Sequence, residues 1–197
     1  MAAQRKFLVP VLTLVAALLL LGAAAVFTLM PMSGQRSPSA IGGAFELIDQ
    51  NKTPVTEQAL LGSPSIVFFG YTHCPDVCPT ALTEIGEVYK ALGADGDRLK
   101  TFFITVDPER DTADLLKLYL ESFDPRVKAL TGSREKIDAT MRAYRAFARK
   151  VPLEGSDSYV MDHTALVYLM DKNGDFVQSM NFDLTPEENA ARIKKQF

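Results

Sequence analysis

The chain has 197 residues, of which 47% are apolar, and its 21 basic and 24 acidic side chains leave a formal charge of −3. That length suits one well-buried domain rather than two. The acidic balance excludes the basic footprint by which proteins hold nucleic acid, so no nucleic-acid partner is expected.

Arg5 and Lys6 are followed by a stretch without a single charge, residues 7–30. About 20 apolar residues span a bilayer, whereas a secretory h-region is roughly half as long as this stretch. Ala23, Ala24 and Ala25 resemble a small-residue cleavage site, but the apolar run continues through Val26, Phe27 and Leu29. We therefore read residues 1–6 as a cytoplasmic N-terminus and 7–30 as an uncleaved transmembrane anchor. Arg5 and Lys6 hold the N-terminus in the cytoplasm by the positive-inside bias. No long Arg- and Ser-rich leader of the mitochondrial kind precedes the apolar run. The expected location is a bacterial inner membrane, crossed once, with the C-terminal domain in the periplasm. Residues 31–40, PMSGQRSPSA, are small, polar and proline-punctuated, as in a linker. The folded domain is expected over 41–197.

Within it, residues 45–49 and 53–56, joined by Gln50-Asn51-Lys52, read as a hairpin at the entrance. Residues 65–71, SIVFFGY, are the continuous apolar run of a strand buried on both faces. From Pro79 the apolar positions Leu82, Ile85, Val88, Tyr89 and Leu92 have helical spacing, with Gly93 as the C-terminal stop. A second strand covers 99–106. Pro108 ends it, and Asp111 or Thr112 caps a helix running through Phe123. A third helix is expected over 133–148, then an irregular acidic loop over 151–162. Strands at 164–170 and 176–182 are joined by Lys172-Asn173-Gly174, where Asn-Gly signals a tight turn. Thr185, Pro186 and Glu188 open a last helix with a capping box. The order β-α-β-α-(α)-β-β-α implies an α/β domain with helices on both sheet faces.

Both cysteines lie in YTHCPDVCPT, residues 71–80, between the first strand and its helix. In an oxidising compartment they suggest a structural disulfide, yet so short a loop constrains little of the unfolded chain. A redox dithiol is also open. Four residues of helix-like turn rise about 6 Å, within reach of a disulfide, and a helix starting near Pro79 would lower a thiol pKa at its N-terminus. A metal site is the third reading. Cys74, Cys78, His73 and His163 could supply four zinc ligands, but His73 adjoins Cys74 and would have to bend back onto the same ion. Two thiolates and one imidazole suit copper better. Asp162 either hydrogen-bonds His163 or points away from it. The seven methionines read as core or anchor packing, Met161 alone lying beside a candidate ligand.

Residues 162–174 resemble the thioredoxin segment in which a cis-proline faces the dithiol, with His163 at the position of that proline. Beyond this, the stretches IGGAFELID (41–49), FFGYTHCPDVCPTAL (68–82), VDPERDT (106–112) and VMDHTALVYLMDKNGDF (160–176) resemble the Sco/SenC family of copper-binding cytochrome c oxidase assembly proteins. Ala44, Thr80, Ala81 and Ala113 depart from that family's pattern without touching a candidate ligand. The resemblance implies a thioredoxin-like fold with an N-terminal hairpin extension, on which Cys74, Cys78 and His163 bind one copper ion, Cu(I) or Cu(II). His73 is implied to be a neighbour of the site and not a ligand. A membrane-tethered copper chaperone follows, with the Cu-A site of cytochrome c oxidase subunit II as recipient and other periplasmic copper or thiol-redox proteins as further partners. The competing function is a thiol–disulfide reductase acting on the subunit II cysteines, which needs Cys74 and Cys78 but not His163. A single-cysteine peroxidase or redox sensor ranks behind both.

Overall fold

The computed structural model describes Leu21 and residues 41–197. The expected anchor over 7–30 and linker over 31–40 lie, Leu21 apart, outside the described residues. Among the described residues no helix is long and apolar enough to cross a membrane.

Seven strands form one sheet: β1 (Glu46–Asp49), β2 (Pro54–Thr56), β3 (Ser65–Gly70), β4 (Lys100–Thr105), β5 (Val127–Thr131), β8 (Val167–Met170) and β9 (Phe176–Ser179). Their order is β2-β1-β5-β4-β3-β8-β9, with β3, β4 and β5 parallel and the remaining pairings antiparallel. A separate two-stranded sheet pairs β6 (Ala148–Pro152) with β7 (Tyr159–His163). Over residues 41–197 four α-helices complete the fold: α1 (Val77–Leu92), α2 (Ala113–Leu120), α3 (Arg134–Ala143) and α4 (Pro186–Lys194).

Helices cover both faces of the sheet. Tyr89 of α1 hydrogen-bonds Thr101 Oγ1 of β4 at 2.8 Å, and Tyr119 of α2 packs on Phe103, whose ring meets Phe68. Phe69, on the opposite face of β3, meets Tyr144 at the end of α3. Every residue of β3 is therefore buried, which explains its unbroken apolar run. Each fully buried Phe or Ile contributes about 1.5–3 kcal/mol. The expected N-terminal hairpin is β1–β2, and the Asn173-Gly174 turn between β8 and β9 forms with Gly174 at φ +78°. Thr185 and Glu188 close the capping box of α4.

Apart from shifts of two or three residues at helix ends, three elements differ from the sequence expectations. β5, VKALT, was absent from them. It has no apolar alternation of its own, and it becomes a strand because β4 and β1 flank it with free ladder groups. The third helix stops at Ala143 rather than 148, since Arg145 adopts a left-handed φ of +54° that breaks the helical ladder. The expected irregular loop 151–162 is largely hairpin, β6 and β7 in register from Ala148 opposite His163 to Pro152 opposite Tyr159. His163 consequently ends the hairpin strand β7 and does not begin the sheet strand, which starts four residues later at Val167.

Candidate metal centre

The cysteine stretch leaves β3 at its C-terminal edge and enters α1. A turn closed by Cys74 N–H to Tyr71 O at 3.2 Å places Cys74 ahead of the helix. The helix starts at Val77, two residues earlier than expected. Pro79 then occupies its first turn, where a missing N–H costs nothing. Cys78 thus sits inside the helix, fully buried, while Cys74 is half-buried. The Cys78 N–H donates to Cys74 Sγ at 3.3 Å.

Gly70 makes room for this arrangement. A Cβ there would lie 2.8 Å from Cys78 Sγ and 2.5 Å from Phe103 Cε2, so any side chain would collide with the thiol and the core. The glycine inside an otherwise apolar strand was the available signal for this close approach.

His163 reaches the same place from the hairpin. Its Nε2 lies 3.8 Å from Cys78 Sγ across 85 residues of sequence. Its Nδ1 lies 3.0 Å from Thr164 O, and because a carbonyl only accepts, Nδ1 carries the proton and Nε2 presents its lone pair to the sulfurs. Tyr71 meets the imidazole edge-on, ring centroids 5.6 Å apart. One ligand atom from each of Cys74, Cys78 and His163 lies within 4.8 Å of the others. The two other predicted neighbours stand apart. His73 is half exposed, its Nδ1 2.9 Å from Thr72 Oγ1. Asp162 pairs with Arg149 across the hairpin at 2.9 Å, so its carboxylate is engaged away from the imidazole. Met161 is buried and lines a shallow cavity together with Cys74 and His163.

Burial pushes His163 below the ordinary imidazole pKa, only partly opposed by the Thr164 bond and the Asp162 charge, so the ring is neutral and able to ligate. Burial also pushes the Cys78 thiol well above its ordinary value. The expectation that the helix N-terminus would lower the thiol pKa therefore fails at Cys78, because desolvation outweighs the dipole there. A soft cation would have to displace that proton on binding.

Asp111 holds the cysteine loop from below. It is fully buried and accepts from Thr72 N at 3.0 Å, Thr72 Oγ1 at 2.6 Å and Thr105 Oγ1 at 2.7 Å. Thr112, not Asp111, caps α2, by accepting from Leu115 N. From sequence, residues 107–112 have two readings: strand end and helix cap, which is preferred, or a loop that helps shape the site, as the family resemblance hints. Thr112 fulfils the first, and the bonds from Asp111 to Thr72 support the second.

Two thiol sulfurs and a neutral imidazole nitrogen form a soft, three-donor set open on the Cys74 side. Such a set fits copper, Cu(I) above all. The sulfurs are also near enough for disulfide formation after a modest shift.

The sequence pattern of the SCO1/SenC family matches residues 33–197. A SCO2-like protein of Rickettsia prowazekii is 35% identical over 190 residues, covering 90% of this chain and 93% of the relative. Among solved structures, Bradyrhizobium japonicum ScoI with copper bound is 52% identical, with a TM-score of 0.77, covering 80% of this chain and 99% of that one. A further structure is described as revealing a disulfide switch in BsSco, a member of the Sco family of cytochrome c oxidase assembly proteins. It shares the fold at 22% identity and a TM-score of 0.63, covering 82% of this chain and 96% of that one.

Proposed function

The chain belongs to the SCO1/SenC family, and on that premise we propose that it is a membrane-anchored copper chaperone which carries one copper ion on Cys74, Cys78 and His163. The recipient is the Cu-A site of cytochrome c oxidase subunit II. The observation that carries this reading is the convergence of three soft or borderline donors, 85 residues apart in sequence, within 4.8 Å. The copper bound by the 52% identical ScoI supports the choice of metal. The family's part in cytochrome c oxidase assembly, as stated for BsSco, supports the choice of pathway.

Each residue has a distinct part. Cys78, buried in the first turn of α1, is the fixed ligand. Cys74, half-buried, is the ligand an incoming thiolate reaches first. His163 offers Nε2, oriented by its Nδ1–H bond to Thr164 O. Copper is cargo here, and a three-donor site lets a partner's thiolate add before a ligand leaves.

The anchor over 7–30 holds the domain at the periplasmic face of a bacterial inner membrane, next to a membrane-embedded recipient, which raises the effective concentration of the site there. The charge-free run behind Arg5 and Lys6 supports that placement.

The test is an anaerobic copper titration of the reduced full-length protein beside His163→Ala. One tight equivalent, weakened at least tenfold by the substitution, is the expected result. Equal, weak binding by both proteins, together with undiminished disulfide reduction by the variant, would instead assign the chain to thiol–disulfide exchange through Cys74 and Cys78.

A further inference from the structure

His163 reaches the site on a hairpin that pairs with no strand of the main sheet among the described residues. Something else must hold it against the cysteines. At its base, Thr164 N donates to Phe147 O at 2.9 Å and Phe147 N donates to Thr164 Oγ1 at 3.0 Å, but both bonds lie within the hairpin's own two ends.

Met161 packs into the core and Tyr71 meets the imidazole, while the polar side-chain contacts to the body come from the loop after β4. Arg110 Nη1 donates to Tyr159 O at 3.0 Å, at the start of β7. The guanidinium carbon lies 3.7 Å from the centroid of the Tyr159 ring, and Nε pairs with the Asp107 carboxylate. The Tyr159 hydroxyl returns to the same carboxylate, 2.9 Å from Oδ1 and 3.2 Å from Oδ2. Asp107 itself is fully buried. Outside this triad, Lys150 of β6 pairs with Glu109. The loop that grips the hairpin through Asp107 and Arg110 also grips the cysteine loop through Asp111, four residues on from Asp107. One short segment therefore bonds to both halves of the site.

We infer that Asp107, Arg110 and Tyr159 form a latch that positions His163 against Cys74 and Cys78, and that opening the latch withdraws His163 while Asp111 keeps the cysteine loop in place. The inference rests on the copper-chaperone reading for what opening achieves: the ion passes from three ligands to two, one just ahead of α1 and one in its first turn. All three are positioning residues, acting through His163. The closed latch leaves Arg110 Nη2 buried and without a hydrogen-bond partner among the described residues.

Tyr159→Phe tests this with little disturbance, since it keeps the ring under Arg110 and removes only the bond to Asp107. Arg110→Lys is the second variant, keeping the charge but losing the fork that reaches Asp107 and Tyr159 O together. In the metal-free full-length protein, amide hydrogen exchange across β6 and β7 should quicken about tenfold in each variant, with β3 and β4 unchanged. In the copper-loaded protein, stoichiometry should stay at one and the Cu(II) spectrum should lose nitrogen coordination toward that of His163→Ala. Release to a Cu(I) chelator should quicken several-fold, and adding Tyr159→Phe to His163→Ala should quicken it no further.

Unchanged hairpin exchange in both variants would overturn the latch. So would equal acceleration in β3 and β4, which marks a general loss of stability, or a Tyr159→Phe effect on release that persists in the His163→Ala background. If copper binding proves independent of His163, the chaperone site is wrong, and exchange in the metal-free protein alone then decides whether the latch exists.

Discussion

Replacing Gly70 with alanine separates the role of that position from ordinary backbone flexibility. The added Cβ would sit 2.5 Å from Phe103 Cε2, 2.8 Å from Cys78 Sγ and 3.1 Å from Phe103 Cζ. Comfortable contacts of this kind fall at about 3.5–4.0 Å, so two neighbours must each yield by roughly 1 Å. Phe103 has no free direction: it is fully buried, with its ring 5.6 Å from Phe68 and 5.9 Å from Tyr119. Overpacking of this degree costs about 1–3 kcal/mol. In a domain of this size that lowers the melting temperature by about 2–12 °C. If Cys78 moves instead, the cost appears as weaker copper binding. Calorimetry on the metal-free protein and a copper competition titration read the two routes separately. At an unstrained position, Gly to Ala would stabilise by about 0.4–1 kcal/mol through the unfolded state. An unchanged or raised melting temperature with unchanged copper affinity would therefore refute the close-approach argument.

Asp111→Asn keeps the shape but turns an amide group toward threonine donors, and should cost on the order of 2–3 kcal/mol through the weakened bonds to Thr72 and Thr105. Urea midpoints measure it, and a midpoint equal to that of the parent would show the buried carboxylate to be dispensable. Copper affinity should climb with pH through the neutral range, by up to about tenfold per unit for each proton released, because the Cys78 thiol must be displaced by the metal. It should fall in acid, at a pH under the ordinary imidazole value of 6.5, as His163, held down by burial, finally protonates. Competition titrations across that range check both signs, and a flat profile would remove Cys78 from the ligand set. In the metal-free protein the raised Cys78 pKa carries the opposite consequence. Its stabilising share is complete below the unfolded value near 9.0 and is lost as pH rises above it, which thermal melts in alkaline buffer will show.

Much of the frame was legible because burial writes itself into sequence. β3 and β4 are covered on both faces and read as apolar runs; α4 announces itself through Thr185 and Glu188; the β8–β9 turn through Asn173 and Gly174. The hairpin of His163 was not legible for the same reason in reverse. β6 reads ARKVP and buries none of its residues fully, so no period-2 signal exists to be found. β5 carries Lys128 and Ala129 in a strand of five and is defined by its neighbours. Cys74, Cys78 and His163 were legible as candidate donors through residue type, motif and the family resemblance, and the structure brings them together, but their environment was not legible. Proximity to a helix start suggested a lowered thiol pKa, and only the packed structure shows that Cys78 lies inside the first turn, where burial prevails. The residues that hold the site together, Asp111, Arg110 and Tyr159, belong to contacts 39 and 49 residues apart, beyond any local pattern.

The separation of β6 and β7 from the main sheet bears on how such a protein can diversify. The hairpin tip, residues 153–158, is closed by Leu153 N–H to Ser158 O at 3.0 Å and turns at Gly155 with φ +73°. None of its residues is buried. Lengthening or recharging that tip changes the exposed outline of the domain while His163, at the opposite end of the hairpin, keeps its place. An exposed turn and the candidate donor His163 thus lie at opposite ends of one supersecondary unit, so that selection, or an engineer, can revise the first without revising the second.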